Sequence, residues 1–259
     1  MPGFNFDLVQ RNLQLEQAGA KPPKALKTGT TIVGVVFDGG VVLGADTRAT
    51  EGDTVADKKC MKIHYLAPNI RCCGAGTAAD TEMVTQMIGS ELTLGRLESG
   101  KQTRVIEALT RLKRILYKYQ GHIGAALVLG GCDVDGPFLA TVAPHGSTDR
   151  LPYVTMGSGS IAAMAVLESS YKDGMTEAEG VALVRNAVCA GILNDPYSGS
   201  QVDICVITPN SNTLTLGEHV ASERIHPKQT ISFPRGTAPV TKEEIKRLVN
   251  VTDVPMTED

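Results

Sequence analysis

The residues best placed to do chemistry sit where the chain abruptly changes character. Residues 1–29 are polar and end in the Pro- and Lys-bearing KPPKALKTG; from Thr30 the chain turns apolar with TTIVGVVF. Gly29-Thr30-Thr31 lies on that edge. A threonine hydroxyl is a poor nucleophile and needs a base. Cutting the Gly29–Thr30 bond would give Thr30 a free α-amine within reach of its own hydroxyl. Such an amine ordinarily has a pKa of about 7.7–8.0, so much of it is protonated at neutral pH. A nearby cation would lower that pKa by disfavouring the ammonium form. Lys62 is a candidate for that cation, and Asp46 for the anion that holds it. The plainer reading is that Thr30 starts a strand, where β-branched residues are common, and Gly-Thr-Thr alone favours it.

Two further segments mimic a binding motif. GAGTAA at 74–79 and GSGSIA at 157–162 both fit the Gly-rich dinucleotide pattern G-x-G-x-x-G/A. A nucleotide-binding enzyme is therefore one alternative. That pattern needs a parallel βαβ setting, however, and the strands expected before it join by short turns. No Walker lysine follows either segment, so glycine at a close strand-to-helix approach explains both. Asp133 and Asp135-Gly136 resemble a fragment of a calcium loop without the remaining ligands, which reads as a hairpin turn. The histidines (His64, His122, His145, His219, His226) show no zinc-binding pair. The cysteines (Cys60, Cys72, Cys73, Cys132, Cys189, Cys205) form no C-x-x-C and read as buried free thiols in a reducing compartment.

Positioning such groups needs a substantial core. Of 259 residues, 42% are hydrophobic and 20% charged, which fits a globular chain; with 4% aromatics and no Trp, Val, Ile, Leu, Ala and Met must fill it. A net charge of -3 argues against a dominant attraction to nucleic acid or anionic membrane. No apolar run is long enough to span a bilayer, and residues 1–29 lack the apolar centre of a signal peptide.

TTIVGVVF, the turn Asp38-Gly39-Gly40 and VVLGAD read as a hairpin, and KIHYL and NIRCCG as two more strands. Helices are expected over 77–94, with Ala79, Met83, Met87 and Ile88 on one face, and over 102–119, with Val105, Leu109, Leu112 and Leu116. Strands IGAALVLGG, PFLATV and PYVTMG follow, then helices at about 160–171 and 176–191. The last opens on the capping box Thr176-Glu177-Ala178-Glu179. VDICVI and TLTLG close the sheets. Grouped strands and grouped helices predict an antiparallel α+β layered domain. Residues 1–29 show no sustained period and read as a leader; those from 218 read as a C-terminal arm.

Taken together, TTIVGVVFDGGVVLGADTRAT, VADKKCMKIH, GAGTAADTE, YQGHIGAALVLGG, GSGSIAAMAVLES and NDPYSGSQVDICVI closely resemble the beta subunits of the eukaryotic proteasome core particle, over roughly residues 30–208. The resemblance implies an N-terminal nucleophile hydrolase: a four-layer α-β-β-α sandwich of two antiparallel sheets. It implies Thr30 as nucleophile, freed by autolysis of Gly29–Thr30, with Asp46 and Lys62 as the pair that tunes it. Ser158, Asp195 and Ser198 match residues supporting the amine and its water, and the Gly76 amide matches the oxyanion donor. Thr50, Gly76 and Ala78 match backbone edges that hold a substrate as an added strand.

Ala49, Cys60, His64, Gly74 and Glu82 resemble the pocket of the trypsin-like type, Gly74 leaving room and Glu82 meeting a basic side chain. A non-catalytic ring subunit, the second alternative, would lack the threonine set. The resemblance further implies a propeptide (1–29), a catalytic domain (30–217) and an arm (218–259) on a neighbouring beta subunit. Expected partners are the other alpha and beta subunits of a stacked four-ring heptameric core and unfolded polypeptides. A regulatory particle would be met only indirectly. Neither metal nor cofactor is implied, and the expected location is cytoplasm and nucleus.

Overall fold

The computed structural model describes residues 7–19, 29–220, 236 and 242–244. Of the expected leader, residues 1–6 and 20–28 lie outside them; of the expected arm, only 218–220, Gly236 and 242–244 lie within. The chain divides into two compact units, Met1–Ser222 and Glu223–Asp259, and the first holds every helix and strand among the described residues.

Two five-stranded antiparallel sheets carry the fold. The first is built from β1 (Ile32–Phe37), β2 (Gly40–Asp46), β10 (Tyr153–Met156), β11 (Gln201–Ile207) and β12 (Asn212–His219), in the order β10-β1-β2-β11-β12. The second runs β5-β6-β7-β8-β9, from β5 (Ile63–Ala67), β6 (Ile70–Gly76), β7 (Ala125–Asp133), β8 (Gly136–Val142) and β9 (Thr148–Arg150). Helices α2 (Ala78–Ser99) and α3 (Val105–Lys118) cover the second sheet, and α4 (Ser160–Ser170) and α5 (Glu177–Asn194) the first. The result is the α-β-β-α sandwich expected.

Why the sheets are so apolar follows from strand geometry. Successive side chains point to opposite faces, so a strand buried on both needs an unbroken apolar run. In β2, Val41, Leu43 and Ala45 face the other sheet while Val42 faces α4 and α5. In β6, Cys72 packs under α2 and α3 while its neighbour Cys73 lies between the sheets. Burial drives the thiols of Cys72 and Cys73 well above their ordinary pKa, and all six cysteines are free.

Several expectations are corrected. Residues 7–17, read as aperiodic, form helix α1 (Asp7–Gln17). Its Leu13 and Leu15 are exposed, so helix-favouring side chains rather than a buried face carry it, and no apolar period marks it. Helix α2 outruns 77–94 because Leu94 and Leu97 face solvent, and it stops where Gly100 adopts φ 65. Its buried face is Thr81, Val84, Thr85, Ile88 and Leu92; Met83 and Met87 are exposed. The α3 stripe of Val105, Leu109, Leu112 and Leu116 is buried as expected, and the Thr176–Glu179 capping box caps the N-terminus of α5.

The two-stranded β3 (Ala49–Glu51) and β4 (Thr54–Asp57), like β9, escaped notice because short polar strands carry no alternation. Strand β12 continues to His219, past the 217/218 boundary drawn for the catalytic domain. The nucleotide alternative fails on topology: β6 and β10 pair only antiparallel with their neighbours, and neither enters a parallel βαβ unit. A side chain at Gly157 would collide with the Thr30 carbonyl, so that glycine answers the threonine. Asp133 accepts from the backbone N–H of Asp135 and of Val105, capping α3 from a hairpin turn. Among the described residues no group of His, Cys, Asp or Glu side chains is arranged to hold a metal ion.

Candidate active site

Thr30 lies just ahead of β1, and the neighbouring elements end around it. Strand β2 ends at Asp46, Lys62 precedes β5, Ser158 follows β10, and Asp195 and Ser198 lie in the turn after α5. Antiparallel pairing fixes these ends: Ile32 opposes Ala45 on one side and Met156 on the other, and Val202 opposes Asp46.

Asp46 is fully buried, yet fully partnered. Its Oδ1 accepts from Thr31 N at 2.9 Å, and its Oδ2 from Gly199 N at 3.0 Å and Arg48 N at 3.3 Å. Lys62, 7% exposed, completes the set with a 2.8 Å ion pair. A buried pair is tolerated only with such complete hydrogen bonding. An ammonium has three donors. Those of Lys62 reach Asp46 Oδ1 at 2.8 Å, Thr30 Oγ1 at 3.0 Å and the Gly29 carbonyl at 3.2 Å. The Thr30 hydroxyl itself donates to the Gly29 carbonyl at 2.7 Å. One cation therefore touches both the hydroxyl and the carbonyl of the peptide that precedes it.

A second cluster holds the Thr30 nitrogen. Thr30 N donates to Ser158 Oγ at 3.0 Å, and Ser158 Oγ to Asp195 Oδ2 at 2.5 Å. Ser198 Oγ donates to the same oxygen at 2.6 Å and accepts from Thr31 Oγ1 at 2.8 Å. Burial works to raise the Asp195 pKa, but the hydroxyls of Ser158 and Ser198 and nearby backbone N–H groups outweigh it and hold the carboxyl below its usual range.

In front of Thr30 opens a cavity of about 560 Å³. Gly29, Ala49, Cys60, His64, Gly74, Gly76, Ala78 and Glu82 all line it together with Thr30 and Lys62. Of the expected substrate-binding residues only Thr50 is not on that wall; its hydroxyl accepts from Gly29 N at 3.4 Å. Asp46, Ser158, Asp195 and Ser198 form the support behind the threonine. A side chain at Gly74 would press within 2.8 Å of Thr81 Cβ, so this glycine lets α2 close on β6 as well as widening the cavity. Burial lowers the His64 pKa, partly opposed by Glu82; burial raises that of Cys60, partly opposed by Lys62.

The sequence reading missed several participants. Asp57 also lines the cavity, on a strand that was not foreseen. Thr31 bonds to both Asp46 and Ser198, and Arg48 spans from Asp46 to the Pro196 carbonyl. Tyr197 covers Gly29 so closely that any side chain there would collide with it. Arg48 lay within GADTR and Tyr197 within NDPYSGS, but nothing in residue type foretold which atoms they would meet.

A hydroxyl bonded to a buried ammonium, and to the carbonyl of its own preceding peptide, is the setting of a threonine peptidase of the N-terminal nucleophile class, and the sandwich is that class's fold. The chain belongs to the proteasome subunit family, which matches residues 26–207. It is 58% identical over 257 residues to the proteasome subunit beta type-7 of Dictyostelium discoideum, covering 98% of this chain and 97% of that one. It is 49% identical over 255 residues to the beta type-2 subunit of Saccharomyces cerevisiae, covering 98% and 97%. To the beta type-10 subunit of Mus musculus it is 48% identical over 248 residues, covering 95% and 91%.

Proposed function

We propose that this chain is a catalytic beta subunit of the proteasome core that cleaves after basic residues. Lys62, bridging Asp46, the Thr30 hydroxyl and the Gly29 carbonyl, is the observation that carries the catalytic reading. With Gly29 still bonded to Thr30, the geometry is that of a precursor. Thr30 Oγ attacks the Gly29 carbonyl carbon, and Lys62 stabilises the charge developing on its oxygen. The acyl group passes from nitrogen to oxygen as the hydroxyl proton goes to the departing nitrogen, and hydrolysis of the ester by water then releases residues 1–29 and leaves the α-amine free. That amine takes the hydroxyl proton when a peptide binds, and Lys62, held by Asp46, keeps its pKa down. Ser158, Asp195 and Ser198 hold the amine and the hydrolytic water, and the Gly76 amide receives the substrate oxyanion. The substrate lies as an added strand along Thr50, Gly76 and Ala78.

Basic specificity is supported by Glu82 on the wall of a cavity that Gly74 keeps wide and that Ala49, Cys60 and His64 complete. In the same reading the subunit works within stacked heptameric rings of alpha and beta subunits in cytoplasm and nucleus, acting on unfolded polypeptides. Residues beyond β12 reach a neighbouring beta subunit; the propeptide ends at the 29/30 bond and the catalytic domain runs on through His219. The test is the intact mass of this chain from assembled particles, read with hydrolysis of an Arg-P1 peptide. A start at Thr30, and loss of both processing and Arg-P1 hydrolysis in Thr30→Ala particles, is expected. Unprocessed chain in active particles, or unchanged Arg-P1 hydrolysis by Thr30→Ala, would refute the reading.

A further inference from the structure

We propose that Gln86 is a specificity-positioning residue, which fixes Glu82 on the cavity wall without cancelling its charge. The inference rests on the basic-residue reading and deepens it. Glu82 and Gln86 stand four residues apart on α2, and both line the cavity in front of Thr30. Gln86 Nε2 donates to Glu82 Oε1 at 3.0 Å. Side chains at i and i+4 of a helix are neighbours, and the common stabilising partner for Glu there is Lys or Arg. A cation at that position would neutralise the carboxylate that a basic substrate is to meet. An amide does not: it satisfies one oxygen and leaves the full negative charge, with further lone pairs for a second donor.

The arrangement also sets direction. The bond to Oε1 biases the carboxylate toward one orientation on the exposed helix, so less side-chain entropy is lost when substrate binds. Among the described residues nothing else donates to that carboxylate. Of the cations on the cavity wall, Lys62 is engaged with Asp46, Arg71 with Asn212 and the face of Tyr65, and Arg48 with the Pro196 carbonyl; among the described residues neither these nor Lys59 forms an ion pair with Glu82. Glu82 is thus an uncancelled anion, supported by an uncharged donor.

The test uses assembled particles carrying Gln86→Lys, Gln86→Met or Glu82→Gln, with Thr30→Ala particles subtracted as background. Two peptides differing only in Arg or Leu at P1 report kcat and KM. Gln86 is exposed, so all forms should assemble. Gln86→Lys should lower the Arg-to-Leu ratio of kcat/KM about tenfold through a higher KM for Arg, and Gln86→Met about threefold, with the Leu peptide unaffected. An unchanged ratio in Gln86→Lys, with a fallen ratio in Glu82→Gln, would overturn the role of Gln86 alone. An unchanged ratio in Glu82→Gln would overturn the basic-residue reading and the inference with it.

Discussion

The wall behind Thr30 and the wall facing it across the cavity are built differently. Behind, Asp46 is 0%, Ser198 1% and Lys62 7% exposed, and every one is held by short hydrogen bonds. Facing it, Glu82 and Asp57 are exposed and bonded to uncharged groups, the Gln86 amide and the Lys59 backbone N–H. A dry, prearranged cluster makes each electrostatic contact strong and spends nothing on reorganisation during reaction. An exposed carboxylate acts through screened attraction. Changes behind the threonine should therefore alter rate by orders of magnitude, and changes facing it should alter preference by small factors.

The sharpest break is Lys62→Ala. It removes the cation from both the nucleophile and Asp46, leaving the buried carboxylate with backbone donors alone. Breaking one side of a buried pair costs about 3–5 kcal/mol. Hydrolysis should fall at least about thousandfold, since removing even one oxyanion donor costs about 10²–10³. Single-turnover rates on assembled particles check this, and a rate within tenfold of the parent would place Lys62 outside the chemistry. Gly29→Ala comes next. Its Cβ would collide with Tyr197, so the carbonyl must leave Lys62 and Thr30 Oγ1. Self-cleavage should slow about a hundredfold, read as the fraction of unprocessed chain over time. Once cleaved, the same variant should hydrolyse peptides normally, because Gly29 is gone.

Asp195 probes the rear wall more gently. Its native pKa lies below the ordinary carboxylate value, so it adds stability fully above pH 4 that fades as pH falls through the lowered native value. Asp195→Asn should cost about 2 kcal/mol at neutral pH, the scale of hydrogen bonds to a charged group. Thermal midpoints of parent and variant particles, taken at stepped pH, should converge only in acid. A gap that is constant with pH would show that the carboxylate charge contributes nothing.

The same contrast governs what the sequence could reveal. Gly-Thr-Thr alone favoured a plain strand start, and Thr30, Asp46 and Lys62 stood out as a set only through the resemblance carried by six motifs; the sheets were legible because strands buried on two faces read as unbroken apolar runs. Helix α2 was half legible: its true buried face includes Thr81 and Thr85, whose hydroxyls bond back to helix carbonyls, so a search for apolar residues chose Met83 and Met87 instead. Arg48, Thr31 and Tyr197 were illegible because their roles are contacts between segments more than 140 residues apart. Asp57 was missed because an exposed strand such as β4 buries nothing that composition would register.

The smallest effect tests the facing wall through pH. His64 lies in the cavity with Glu82, and burial lowers its pKa below 6.5, so at neutral pH the imidazole is uncharged and leaves the carboxylate charge intact. As pH falls through that lowered value, His64 takes a proton and its positive charge offsets Glu82. Cys60, on the same wall, does not mimic the change, because burial raises its pKa and keeps the thiol protonated. The Arg-to-Leu ratio of kcat/KM should fall about threefold as pH drops from 7 through the lowered His64 value, and His64→Asn should flatten that profile. A parent ratio that holds steady over this range would mean that His64 and Glu82 do not share one substrate site, and the contrast between the two walls would lose its facing half.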